Sequence, residues 1–149
     1  MTIELSAADR RTLHLAKVAL IAEMGGARAV AVKALERIDA ECGEGAIDLA
    51  MCSWIDTLAA LIGMPRGRPI QLAFVDSDRP DAVMTGAEVV DRPEVVWAGR
   101  LSAARIAGDT DTYGALIETL PEDPAEVGKH VGAVLEGCAL TLARYGVTP

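Results

Sequence analysis

Aromatic side chains are nearly missing from this chain: two tryptophans, two tyrosines and one phenylalanine make up 3% of its 149 residues. A β-sandwich brings aromatic and β-branched strands separated by regular turns, so that class is disfavoured. Half the chain is still apolar, at 51%, and the core must come from Ala, Leu, Val and Ile. That mixture suits close-packed helices, because alanine is the strongest helix former. Lysine is also scarce, with three against eleven arginines, as expected of coding bias in a GC-rich genome. Acidic residues outnumber basic ones 22 to 14, for a net charge of −8 and a pI near 4.7. Phosphate backbones are bound by clustered Lys and Arg, so direct nucleic-acid binding is disfavoured.

Long apolar runs are missing too. The densest stretch, LAKVALIAEM (Leu15–Met24), is interrupted by Lys17 and Glu23, whereas a bilayer span needs about 18 consecutive apolar residues. It also lacks the ordered regions of a secretory signal, so no membrane and a cytoplasmic location are expected. The three cysteines, Cys42, Cys52 and Cys138, are odd in number and have no CxxC spacing. They read as reduced, buried thiols. The length fits one domain, residues 1–149, with a real core.

Helix starts are present in plain form. SAAD (Ser6–Asp9) offers an N-cap hydroxyl with an acid at the third helical position, near the positive end of the helix dipole. DRPE (Asp91–Glu94) and DPAE (Asp123–Glu126) place Asp at the cap, Pro in the first turn and Glu at the third position, as in a capping box. These signals predict helices over Ser6–Glu23, Ala27–Glu41, Glu44–Ile62, Pro93–Ala107, Thr110–Leu120 and Pro124–Tyr145.

Three of these helices show an apolar seam at helical spacing. In the second it comprises Val30, Ala31, Ala34, Leu35, Ile38 and Cys42; in the third, Ile47, Met51, Trp54, Ile55, Leu58 and Ile62. The last carries Val127, Val131, Val134, Leu135, Cys138, Leu142 and Tyr145. Between the third and fourth helices, GMPRGRP (Gly63–Pro69) opens an irregular section. There IQLAFVD (Ile70–Asp76) reads as a short strand hairpinned with AVMT (Ala82–Thr85). The fold class is therefore all-α, a single-domain bundle of five or six helices with an irregular or β-hairpin insertion near residues 63–90.

The stretch AGDTDTYGALIETLPEDPAEVGKHVGAVL (Ala107–Leu135) reads as joints rather than an active site. Gly108 closes one helix, Asp109 or Thr110 caps the next, Pro121 ends it and Asp123 caps the last. The remaining constellations have bland structural explanations. His14 and His130 lie on different helices, and no repeated Glu-x-x-His supports a metal bundle. The cysteines lack a local His partner, and Cys42 sits at the helix end that disfavours a thiolate. DSDRPD (Asp76–Asp81) has Pro80 at a ligand position and no closing Glu, which excludes a calcium loop. EMGGAR places glycines before a helix without a preceding strand, so both the P-loop and the dinucleotide fingerprint fail. Neither cofactor nor metal is expected, and no catalytic residue is assigned.

Candidate binding residues remain. Arg66 and Arg68 sit on the stiff GMPRGRP loop, where a carboxylate or phosphate is a fitting contact. Gly128, Gly132 and Gly137 punctuate the last helix, each costing about 1 kcal/mol against alanine. Gly128 and Gly132 share a face and imply close approach: of a helix of the same chain first, otherwise of a partner's helix or a small apolar ligand. Trp54 and Trp97 read as core anchors. As an alternative, they line a pocket with Tyr113, with Asp48, Asp56 or His130 as its polar groups.

WAGRLSAARIAGDTDTYGALIETLPEDP (Trp97–Pro124) resembles a helical hairpin of the tetratricopeptide kind. The likeness lies in the small residues of its first helix, Gly108-Asp109 at the turn, and an apolar residue every three or four positions afterwards. VALIAEMGGARAVAVKALERI (Val18–Ile38) is similar, with Gly25-Gly26 at its turn. The resemblance implies a helical interaction scaffold. The chain as a whole resembles small helical proteins of actinobacteria, which implies no activity. The expected function is thus a non-enzymatic interaction or regulatory module acting on a protein partner or on itself as a homodimer. One alternative is a small-molecule-binding protein or enzyme with a cavity between helices. Another is a regulator that sequesters a basic nucleic-acid-binding partner.

Overall fold

Ser6 opens the first helix as its sequence predicts: the Asp9 amide donates to Ser6 Oγ at 3.0 Å. The same device recurs at Asp109, which accepts from the Thr112 amide at 3.1 Å, and at Asp123, which accepts from the Ala125 amide at 3.3 Å. Such caps satisfy amides that have no intrahelical partner, each contributing about 1 kcal/mol. The computed structural model describes residues 4–70 and 92–149. Over them run six helices: α1 (Ala7–Met24), α2 (Arg28–Glu41), α3 (Ala46–Ile62), α4 (Pro93–Ala107), α5 (Thr110–Glu118) and α6 (Pro124–Arg144). The fold is all-α, with no strand among the described residues. The anticipated hairpin of Ile70–Asp76 with Ala82–Thr85 lies, beyond Ile70, outside them.

Boundaries differ from expectation where local geometry intervenes. Gly45 takes a left-handed conformation, φ 81°, so Glu44 stays outside α3, which starts at Ala46. Asp91 lies outside the described residues; the cap position of α4 is held by Arg92, whose side chain makes no capping bond there. α5 stops at Glu118 because the Thr119 and Leu120 amides fold back onto the Leu116 and Ile117 carbonyls, ahead of Pro121.

α3 occupies the centre, packed by α1, α6, α4 and, more lightly, α2. Its Met51, Trp54, Ile55 and Leu58 are fully buried against Leu15, Ala16 and Ala19 of α1 and Val134, Cys138 and Leu142 of α6. The alanines of α1 let α3 approach closely, and the Trp54 indole N–H donates to the Ala16 carbonyl at 2.8 Å. That bond satisfies the one polar atom of the largest core side chain. α4 adds Leu101 and Ile106, while α5 buries no residue and rests on α4. Both hairpins anticipated from the sequence, α1–α2 and α4–α5, form at their glycine turns.

Two apolar seams are narrower than expected. α2 turns Ala31, Ala34 and Ile38 inward, but Val30 is 51% exposed, because α2 is covered chiefly by α1. Tyr145, at the cap of α6, is 66% exposed, since the seam passes beyond the last residue that α3 reaches. All three cysteines are free thiols. None of the described helices is long and apolar enough to cross a membrane.

Candidate functional site

α2 and α6 both lean on the centre of the bundle but not on each other: no Cα of one comes within 8 Å of a Cα of the other. Packed helices sit about 8–10 Å apart axis to axis, so a channel remains between them. It is a half-open groove of about 850 Å³ with a mostly apolar surface. Ala31, Val32 and Leu35 form the α2 wall, and Val127, Val131 and Leu135 the α6 wall, with Ile47 of α3 also lining it.

Gly128 and Gly132 face this groove, one helical turn apart. Among the described residues, a Cβ added at either would meet no neighbouring atom within 4 Å. Among the described residues no helix packs against this pair, and α2, on the opposite wall, stands off. The open positions leave a trough along α6 wide enough for a further helix or ligand. Gly137 is buried on α6 and does not line the groove.

One side chain bridges the gap. Arg28, at the start of α2, donates through Nη2 to Glu23 of α1 at 2.7 Å and to Glu136 of α6. Those hydrogen bonds, Glu136's first, outweigh burial and raise the affinity of this guanidinium for its proton. The rest of the rim is acidic. Six carboxylates and three cations line the groove among the described residues. Besides Arg28, Arg92 is held by Glu94 at 2.9 Å and Lys129 by Glu126 at 3.1 Å. Glu36, Asp39 and Glu122 are exposed on the rim, without a hydrogen bond or ion pair.

A second polar constellation runs along another face of α3, where Asp48, Cys52 and Asp56 are spaced by four and so fall in one row. The Tyr113 hydroxyl, carried in by α5, donates to Asp48 Oδ1 at 2.6 Å. That uses its one hydrogen, so the Cys52 thiol, 3.2 Å away, donates to the tyrosine oxygen. Burial raises both titrations above their ordinary values: that of Tyr113, together with Asp48, and that of Cys52. The thiol is thereby held protonated, the opposite of an activated nucleophile. Asp56 accepts from Arg105 at 3.1 and 3.0 Å and from Arg66 at 2.9 Å. Burial pulls its carboxyl up, but the two guanidiniums more than offset that and leave it below the usual carboxylate range. The row clamps α4, α5 and the loop after α3 onto the core.

The residues anticipated for one pocket are thus dispersed. Trp54 is sealed in the core. Trp97 donates to the Leu116 carbonyl at 2.9 Å and meets the His130 ring edge-on at 5.2 Å. It borders a shallow depression of about 300 Å³ with Pro93, Arg100 and Leu116. Tyr113, Asp48 and Asp56 belong to the clamp. Arg66 is engaged by Asp56, while Arg68 stays exposed; beside them the Gly67 amide donates to the Ile106 carbonyl at 2.9 Å, closing α4. His14 is exposed and His130 binds the Glu126 carbonyl at 2.7 Å. Among the described residues no three His, Cys, Asp or Glu side chains gather as a metal site.

Of the sequence candidates, Gly128 and Gly132 alone reach the groove. Its α2 wall and the Arg28 bridge were missed. The signal was there: Val30 and Val32 widen the apolar face of α2 beyond what one neighbour covers. No protein family, curated protein or solved structure matches the chain.

Proposed function

We propose that this chain is a non-enzymatic helical interaction module whose docking surface is the groove between α2 and α6. One observation carries the reading. Two glycines, each unfavourable by about 1 kcal/mol inside a helix, occupy positions where the described residues leave empty space. Packing does not explain them, whereas a guest that needs the trough does. The polar groups outside the groove support the reading, because the Asp48–Tyr113–Cys52 and Asp56–Arg105 contacts join helices and hold no activated group. Self-association is the weaker form of the proposal, since each copy brings a charge of −8 and like charges oppose one another.

The test is selection from a displayed library of randomised 16-residue helical peptides against the wild-type protein, counter-selected against Gly132→Leu. A Cβ at Gly132 meets none of the described residues, so the leucine should enter the trough with the fold kept, which an unchanged helical circular dichroism spectrum and Tm would verify before selection. A pool of peptides that bind wild type and not the variant supports the module; no such pool overturns it. The second reading, a small apolar ligand, draws on the groove's volume, which lies within the range of ligand pockets. It calls for a metabolite that raises the Tm of wild type and leaves that of Gly132→Leu unmoved.

A further inference from the structure

The charge around the groove says more about its guest than its shape does. We infer that the occupant is a cationic amphipathic helix of a partner protein. Its apolar stripe would lie along the α6 trough, and its Lys or Arg flanks would meet Glu36, Asp39 and Glu122. This rests on the module reading and adds the chemistry of the partner.

The length fits first. The α6 wall runs from Pro124 to Glu136, which at 1.5 Å rise per residue is about 18 Å, or a little over three helical turns. A helix laid there presents apolar residues at i, i+3 or i+4, and i+7. Val32, 44% exposed on the opposite wall, gives the far side of that stripe an apolar contact.

Charge then selects among helices. Each of the three lining cations already has a carboxylate: Arg28 has two, Arg92 has Glu94 and Lys129 has Glu126. Glu36, Asp39 and Glu122 have none. An acidic guest would meet three uncompensated carboxylates and no available cation among the described lining residues. A second copy of this chain, at −8, is disfavoured for the same reason. A basic flank instead finds three acceptors that need no rearrangement, and complementary fields both speed encounter and reject wrong partners.

The groove-dependent peptides from the library supply the test. Their sequences are expected to be net positive, with Lys or Arg flanking the apolar stripe. Labelled synthetic copies are titrated by fluorescence anisotropy, against wild type and against Glu36→Gln/Asp39→Asn/Glu122→Gln. All three side chains are exposed and unpartnered, so the triple variant should keep the wild-type Tm. Its affinity should fall about tenfold at low salt, three rim charges being each worth a fraction of that factor at surface dielectric. Raising the ionic strength should weaken wild-type binding steeply and the variant's, which keeps a net negative charge, less so. A groove-dependent pool that is neutral or acidic, or a triple variant that binds as well as wild type, overturns the cationic partner and leaves the module standing. A library without any groove-dependent binder overturns both.

Discussion

Gly132 occupies a helical position where alanine would touch none of the described residues, and the same holds one turn earlier at Gly128. Gly128→Ala and Gly132→Ala should each stabilise the isolated protein by about 1 kcal/mol, through helix propensity and a less flexible unfolded chain. Urea denaturation checks this, and an unchanged or lowered midpoint would mean that the trough is narrower than described. Asp56 sets a different expectation. Its folded titration lies below the unfolded one, so its contribution is present above the ordinary aspartate value near 3.9 and vanishes as pH falls through the lower folded value. Asp56→Asn should lower the Tm at pH 7, and the gap to wild type should narrow below about pH 4. At 38% exposure the effect is screened and modest. Neither the glycines' open surroundings nor the Asp56 clamp is a local property. Gly128, Gly132, Tyr113, Asp48 and Asp56 stand out in the sequence by residue type, and helical spacing puts the two glycines on one face. Which neighbour meets Tyr113, Asp48 and Asp56 is not legible there, because spacing along one helix says nothing about what packs against it.

Elements were far more legible, since caps and stops act within a few residues. Ser6, Asp109, Asp123 and Gly108 each do what their letters suggest, and all six helices begin and end within two residues of the ranges read from the sequence. Where a start moved, as at Gly45, the cause was backbone handedness. After α5, which buries no residue, α2 has the smallest hold on the core: Ala31, Ala34 and Ile38 are its buried residues, against seven on α3 and eight on α6. Local opening follows buried apolar contact. Hydrogen exchange should therefore release α2 amides well before those of α3 and α6. Uniform protection across the three would show that α2 is locked as firmly as the centre.

For the molecule as a whole, composition alone carried the class: few aromatics, much alanine and an acidic balance announced helices. What it did not announce was the groove, because a gap between two helices is defined by the pair that fails to meet, and amphipathic patterns record where contacts are. The net charge bears on assembly. At −8, with an acidic rim around the most apolar opening described, the free protein should sediment as a monomer of 15.6 kDa at micromolar concentration, and a dimer there would favour a second copy in the groove.

The Arg28 bridge has a mechanical side. α2 is seated along one flank and, among the described residues, tethered across the gap by a single guanidinium that is itself 63% exposed. The distance between the two walls is therefore set by a hinge at one end rather than by interlocked side chains along the length. If α2 rocks on α1, guests of unequal girth would fit while the central trio of α1, α3 and α6 stays as it stands. Cutting the tether, as in Arg28→Met, would free that rocking and trade selectivity for reach.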